Sequence, residues 1–120
     1  MSIHIDSCAE CEMIIVTTRS SVYELIVLLG DEGVLMRGGS HFPEFRRALF
    51  LGSTADDGSF APGSFHIGGR LQFICDDRVF ITSAVESLSL ATCGPRLKAF
   101  VAELSERLAD HRRCRMRRVA

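Results

Sequence analysis

The chain has 120 residues, 47% hydrophobic and 24% charged, with a formal net charge of −1. That is the size and composition of one ordinary domain, able to bury roughly two thirds of the surface its unfolded chain exposes, which argues against pervasive disorder and allows a sizeable apolar core without disulfides. No run approaches the ~20 apolar residues of a membrane-spanning helix, and the opening MSIHIDSCAECE has neither the basic n-region nor the apolar h-region of a secretory signal.

Charge is unevenly spread. Residues 1–94 carry 6 Lys+Arg against 12 Asp+Glu, and residues 95–120 carry 8 against 3. An acidic body with a basic tail suits either docking of the tail on its own domain or contact with an anionic partner. The five cysteines, an odd number, fit free thiols in a reducing compartment. These features predict a soluble cytoplasmic protein with no membrane partner.

Residues 1–12 lack a periodic pattern and read as an arm, loose or pairing at an edge. Met13 to Thr18 (MIIVTT) is β-branched and short, a strand, ended by Arg19-Ser20-Ser21. Val22 to Leu29 (VYELIVLL) is apolar on both alternating faces, broken only by Glu24. A strand covered on both sides, as in a barrel wall capped by a helix, explains it. Gly30-Asp31-Glu32-Gly33 supplies a hairpin turn, and Val34 to Arg37 pairs back. Gly38-Gly39-Ser40 ends that strand or bulges it, and His41-Phe42-Pro43 is expected to cross an edge or corner. Phe45 to Leu51 resumes as a strand.

Gly52 to Ser64 (GSTADDGSFAPGS) is expected to be the longest loop, with Phe60 and Ala61 as apolar anchors. Phe65 to Cys75 reads as one long strand kinked at Gly68-Gly69. Asp76-Asp77 is a tight turn, and Arg78 to Leu90 returns, bent near Ser83-Ala84. The spacing predicts a mainly β domain over residues 13–93, a small antiparallel barrel or sandwich of about six strands. Pro95 then opens a C-terminal α-helix, within a segment 94–120. Leu97, Phe100, Val101, Leu104 and Leu108 share one stripe of it, suited to docking on the barrel or on a second copy. Beyond it the run from His111 to Arg118 is strongly basic.

Chemistry-bearing motifs are sparse. Cys8-x-x-Cys11 has the spacing of half a zinc site, with His4, Cys75 and Cys93 as the other conceivable ligands and no second paired knuckle. A redox role would need the pair at a helix N-terminus, whereas a strand follows. Ser40-His41 and Asp56-Asp57 supply hydrolytic residue types without a G-x-S-x-G elbow. Gly38-Gly39 and Gly68-Gly69 lack the Lys-Ser/Thr of a phosphate loop. The arginines Arg112, Arg113, Arg115, Arg117 and Arg118 are suited to phosphates through counterion release, but no aromatic residue interleaves with them for base stacking. Arg37, His41, Arg46 and His66 are the polar groups best placed to meet a ligand or anion.

Arg46-Arg47 followed by Asp57-Gly58-Ser59 resembles part of the signature of the PilZ class of six-stranded barrels, which bind a cyclic dinucleotide. The R-x-x-x-R element is absent, and Pro62 stands where D/N-x-S-x-x-G needs its Gly. Over residues 17–90, TTRSSVYELIVL, VLMRGGSHFPEFRRALFLGST and GGRLQFICDDRVFITSAVESL resemble a group of short, uncharacterised bacterial proteins. That resemblance implies one β domain and a bacterial origin, and carries over no activity, cofactor or functional residue. The expectation is therefore a non-enzymatic binding or regulatory module without a cofactor, its partner a second copy (a homodimer) or another protein. Nucleic-acid or acidic-surface binding through the arginine cluster, and a zinc-bearing protein using Cys8 and Cys11, are the alternatives.

Overall fold

The structure is a computed structural model, and it describes residues 2–8, 12–28, 33–92, 94–96, 98–103 and 106. Nine strands are formed among them: β1 (Ser2–His4), β2 (Glu12–Thr18), β3 (Val22–Val27), β4 (Val34–Gly38), β5 (Phe42–Thr54), β6 (Phe60–Pro62), β7 (Ser64–His66), β8 (Arg70–Cys75) and β9 (Arg78–Thr92). A 3₁₀ turn (Ile5–Ser7) follows β1, and a C-terminal helix, α1, is described at residues 95–96, 98–103 and 106. The fold is mainly β, with a seven-stranded sheet in the order β4-β3-β2-β9-β8-β5-β6 and a small β1-β7 sheet.

β5 and β9 organise this sheet. β5 pairs with β4 over Phe42–Ala48 and with β8 over Leu49–Thr54. β9 pairs with β8 over Arg78–Ala84 and with β2 over Val85–Thr92. Each therefore passes from one half of the molecule to the other, and the two halves face one another as a barrel-like sandwich. Extra residues make the bends. Between Phe50 and Gly52 the β5–β8 register shifts, and Gly52 sits at φ 152°, where a Cβ would lie 2.3 Å from the Ala61 carbonyl oxygen. In β9, Thr82 and Ser83 together oppose Leu71, and the Thr82 hydroxyl accepts a hydrogen bond from the Leu71 amide at 3.0 Å. The side chain thus satisfies a donor that the bulge takes out of the ladder.

The main core lies between the halves and includes Ile14, Val16, Leu25, Phe65, Leu71 and Phe73, each at most 1% exposed. A second cluster lies on the outer face of β3 and β4, where Ile26, Leu28 and Leu35 pack with Val101 of α1, flanked by Met13 and Phe45. From Tyr23 to Leu28 the apolar run is thus covered on both sides, as its double-faced pattern predicts, with α1 the outer cover, while Val22 is exposed. The first intrahelical bond, from the Lys98 amide to the Gly94 carbonyl at 2.9 Å, places Pro95 in the first turn, where its missing N–H costs nothing.

Three expectations need correction. Residues 52–64 are not a long loop: β5 runs on to Thr54, and β6 folds back on it with Ser53 opposite Ala61. Phe65 to Cys75 is not one strand. It breaks at the turn 67–69, with Gly68 at φ 88°, into β7 and β8. The corner of the molecule lies at Phe50–Gly52 rather than at His41-Phe42-Pro43, because Phe42 already starts β5 and is 4% exposed in the core. The arm pairs at an edge: Ser2, Ile3 and His4 oppose His66, Phe65 and Ser64.

Leu35 tests the helix-covered layer. Leu35→Ala removes a side chain that is 1% exposed between β4 and α1 and is expected to cost about 2–5 kcal/mol. Urea unfolding followed by circular dichroism checks this, as a lowered midpoint with an unchanged slope.

Candidate functional site

The Asp76-Asp77 turn starts the site. Both residues have positive φ, 52° and 62°, the type I′ geometry of a two-residue hairpin, and Cys75 and Arg78 oppose each other across it. In such a hairpin the flanking pair is hydrogen-bonded and the pattern alternates from there. Arg78 and Phe80 therefore turn their N–H and C=O toward β8, and Val79 and Ile81 turn theirs away from it. β2 does not reach this part of β9, since its ladder begins at Val85. Among the described residues the outward edge of β9 from Arg78 to Thr82 has no strand beside it.

The side chains sharpen the contrast. Val79 and Ile81 are 61% and 53% exposed. On the same outer face Ile74 lies opposite Val79, and Leu49 opposite Ile74, so an apolar band crosses β5, β8 and β9. Phe80 points the other way, and its ring meets Phe42, His41 and Tyr23 edge-on at centroid distances of 5.0, 5.6 and 6.1 Å. An open groove of about 520 Å³ runs beside the start of β9, lined by His41, Phe42, Arg46 and Phe80, with Asp76 and Arg78 at the turn. Arg46 forms an ion pair with Asp76.

Of the four ligand candidates from sequence, two are brought together and two are not. His41 and Arg46 share the groove. Arg37 lies on β4, where its Nε and Nη2 donate to Glu24 Oε1 at 3.2 and 2.8 Å and its guanidinium stacks 4.2 Å over the Phe45 ring. His66 lines a separate cavity of about 330 Å³ with Ser53, Asp56 and Ser59. There the buried Ser53 hydroxyl accepts from the His66 amide at 3.2 Å and donates to the Ser64 carbonyl at 2.5 Å. His41 and Asp56 thus line different cavities, and the hydrolytic residue types form no triad. Asp57 closes its own turn, accepting from the Ser59 amide at 2.9 Å and the Ser59 hydroxyl at 2.6 Å.

Cys8 is partly buried with Sγ 3.7 Å from the His4 carbonyl. Burial pushes its thiol pKa up, Glu12 adds to the rise, and a hydrogen bond with Ser7 opposes it. Cys11 lies outside the described residues, as do Leu97, Leu104, Leu108 and the arginines 112–118. Among the described residues no cluster of His, Cys, Asp or Glu is arranged to hold a metal. Phe100 is 48% exposed, and Val101 is fully buried within its own chain. No described helix is long and apolar enough to cross a membrane. Val79 and Ile81 went unsingled in the sequence, although their alternation in VFIT after an Asp-Asp turn places them together on one face.

No protein-family model, curated protein or solved structure matches the chain.

The loop bordering the His66 cavity carries a pH signature. The Ser59 hydroxyl, and then its amide, hold the Asp57 carboxyl below the ordinary aspartate range. A depressed pKa means that the stability it contributes is present above the ordinary aspartate pKa and is lost as pH falls through the lowered one. An NMR titration is expected to show a midpoint below that of a free aspartate, returning toward it in Ser59→Ala. A midpoint unmoved by that substitution would refute the assignment.

Proposed function

We propose that this protein is a non-enzymatic binding module that acts through protein–protein contact, self-association included, with the first half of β9 as its contact surface. The observation that carries this reading is the edge at Val79 and Ile81, which no strand flanks among the described residues and whose side chains are also exposed. An edge strand with free N–H and C=O groups is a template for another chain, and proteins that avoid such pairing place charges or proline there. Residues 79–85 (VFITSAV) contain neither. The apolar band of Leu49, Ile74, Val79 and Ile81 adds a face that gains by leaving water. Arg46 and Asp76 neutralise one another at the groove mouth, which favours apolar contact over proton transfer as the business of this surface.

Light scattering coupled to size exclusion is expected to report a concentration-dependent dimer. Val79→Lys with Ile81→Lys places two cations on the edge and is expected to weaken self-association at least about tenfold, roughly 1.4 kcal/mol, with thermal unfolding little changed because both positions are exposed. A wild-type chain that stays strictly monomeric at high concentration would remove self-association from the proposal.

A further inference from the structure

We infer that the open edge of β9 pairs with the same edge of a second copy, antiparallel, about a two-fold axis through Phe80. This rests on the contact surface proposed above and specifies its occupant and register. The length of open edge comes first. It begins at the Asp76-Asp77 turn and ends at the Thr82-Ser83 bulge, where the Ser20 hydroxyl lies 3.4 Å from that of Ser83. Beyond that, Val85 opens the ladder with β2. The available stretch is Arg78 to Thr82, and Phe80 is its middle.

A closed two-fold contact uses the same patch on both copies and, within one sheet, makes the strands antiparallel. An axis at Phe80 sets Val79 of each copy opposite Ile81 of the other. Both residues turn their N–H and C=O outward, so each pair exchanges both hydrogen bonds. Arg78 then faces Thr82 and no like charges oppose.

Neighbouring registers are worse for stated reasons. A one-residue slip sets outward groups of one strand against inward groups of the other. An axis at Ile81 puts Val79 opposite Ser83, at the bulge where the open stretch has ended, and leaves the Ile81 pair alone to exchange both hydrogen bonds. An axis at Val79 puts the Asp77 carboxylate opposite Ile81, inside the apolar band. The edge from Val79 to Thr82 carries no charge to attract a charged peptide, whereas the same edge of a second copy is an uncharged strand of matching length. Pairing in this register continues the β6-β5-β8-β9 sheet across the axis. It joins the apolar residues Leu49, Ile74, Val79 and Ile81 of both copies into one face.

Disulfide trapping tests the register. Opposed residues of a hydrogen-bonded antiparallel pair have Cα atoms about 5.5 Å apart, within the roughly 4.4–6.8 Å that a disulfide spans. Full-length Val79→Cys protein is mixed with full-length Ile81→Cys protein under mild oxidation, and the linked peptides are identified by mass spectrometry. The mixed 79–81 link is expected to exceed either homotypic link, and the yield from Val22→Cys (53% exposed on β3), by about tenfold, the occupancy difference of about 1.4 kcal/mol. A wild-type dimer in light scattering without a preferred 79–81 link would overturn this arrangement and leave self-association standing. A strictly monomeric wild-type chain would overturn both.

Discussion

The structure depends on two strands, β5 and β9, each serving two halves of the sheet. A strand keeps one partner per edge only while its register holds, so a chain that must pass from one half to the other needs extra residues at the crossing. β5 makes the crossing at Phe50–Gly52, where only glycine fits beside the Ala61 carbonyl. In β9 it happens around Thr82–Ser83, where a hydroxyl replaces the lost ladder bond to Leu71. Without these two bends the halves would not face each other, and Phe65 and Phe73 would have no opposite wall to bury against. Phe50 joins them there, stacked on Phe65 at 3.9 Å.

The same strands explain why the second cluster exists. Once the inner faces of β3 and β4 close the main core, their outer faces still carry Ile26, Leu28 and Leu35, an apolar surface that water would disfavour. α1 covers them with Val101, and Arg37 extends the cover by lying over Phe45 while Glu24 neutralises its charge. An arginine that looks available for a ligand in sequence is thus engaged by its cross-strand neighbour, since Glu24 lies directly opposite Arg37. Leu25, Ile26, Val27 and Leu28 are accordingly buried within the chain.

Much of the fold was legible because local rules agree with the tertiary result. The β-branched run at Met13, the two-faced run at Val22, the Asp76-Asp77 turn and the Pro95 helix start each have one dominant physical cause, and each is found where that cause puts it. The errors fall where pairing partners decide. Gly52 to Ser64 has loop composition, yet its first residues stay in β5 because β8 and β6 lie on either side of them. Gly68-Gly69 was legible as a break but not as the point where the chain leaves β7 for β8. The contact surface was the hardest to see. Its residues, Val79 and Ile81, look like ordinary strand residues, and their exposure follows from where β2 stops.

That last dependence links the fold to its edges. The second half-sheet has two margins, and they are built differently. β6 is short and contains Pro62, which has no N–H to offer a neighbour. Gly63 beyond it donates to the Leu51 carbonyl, and its own carbonyl accepts from Ile5 in the arm, so that margin is closed by the chain itself. The β9 margin has no proline, no lysine and no covering segment among the described residues between Arg78 and Thr82. It stays open because the β2 ladder begins only at Val85, beyond the Thr82–Ser83 bulge. The bend required for the core and the edge available for contact therefore adjoin on one strand, the edge ending where the bend begins.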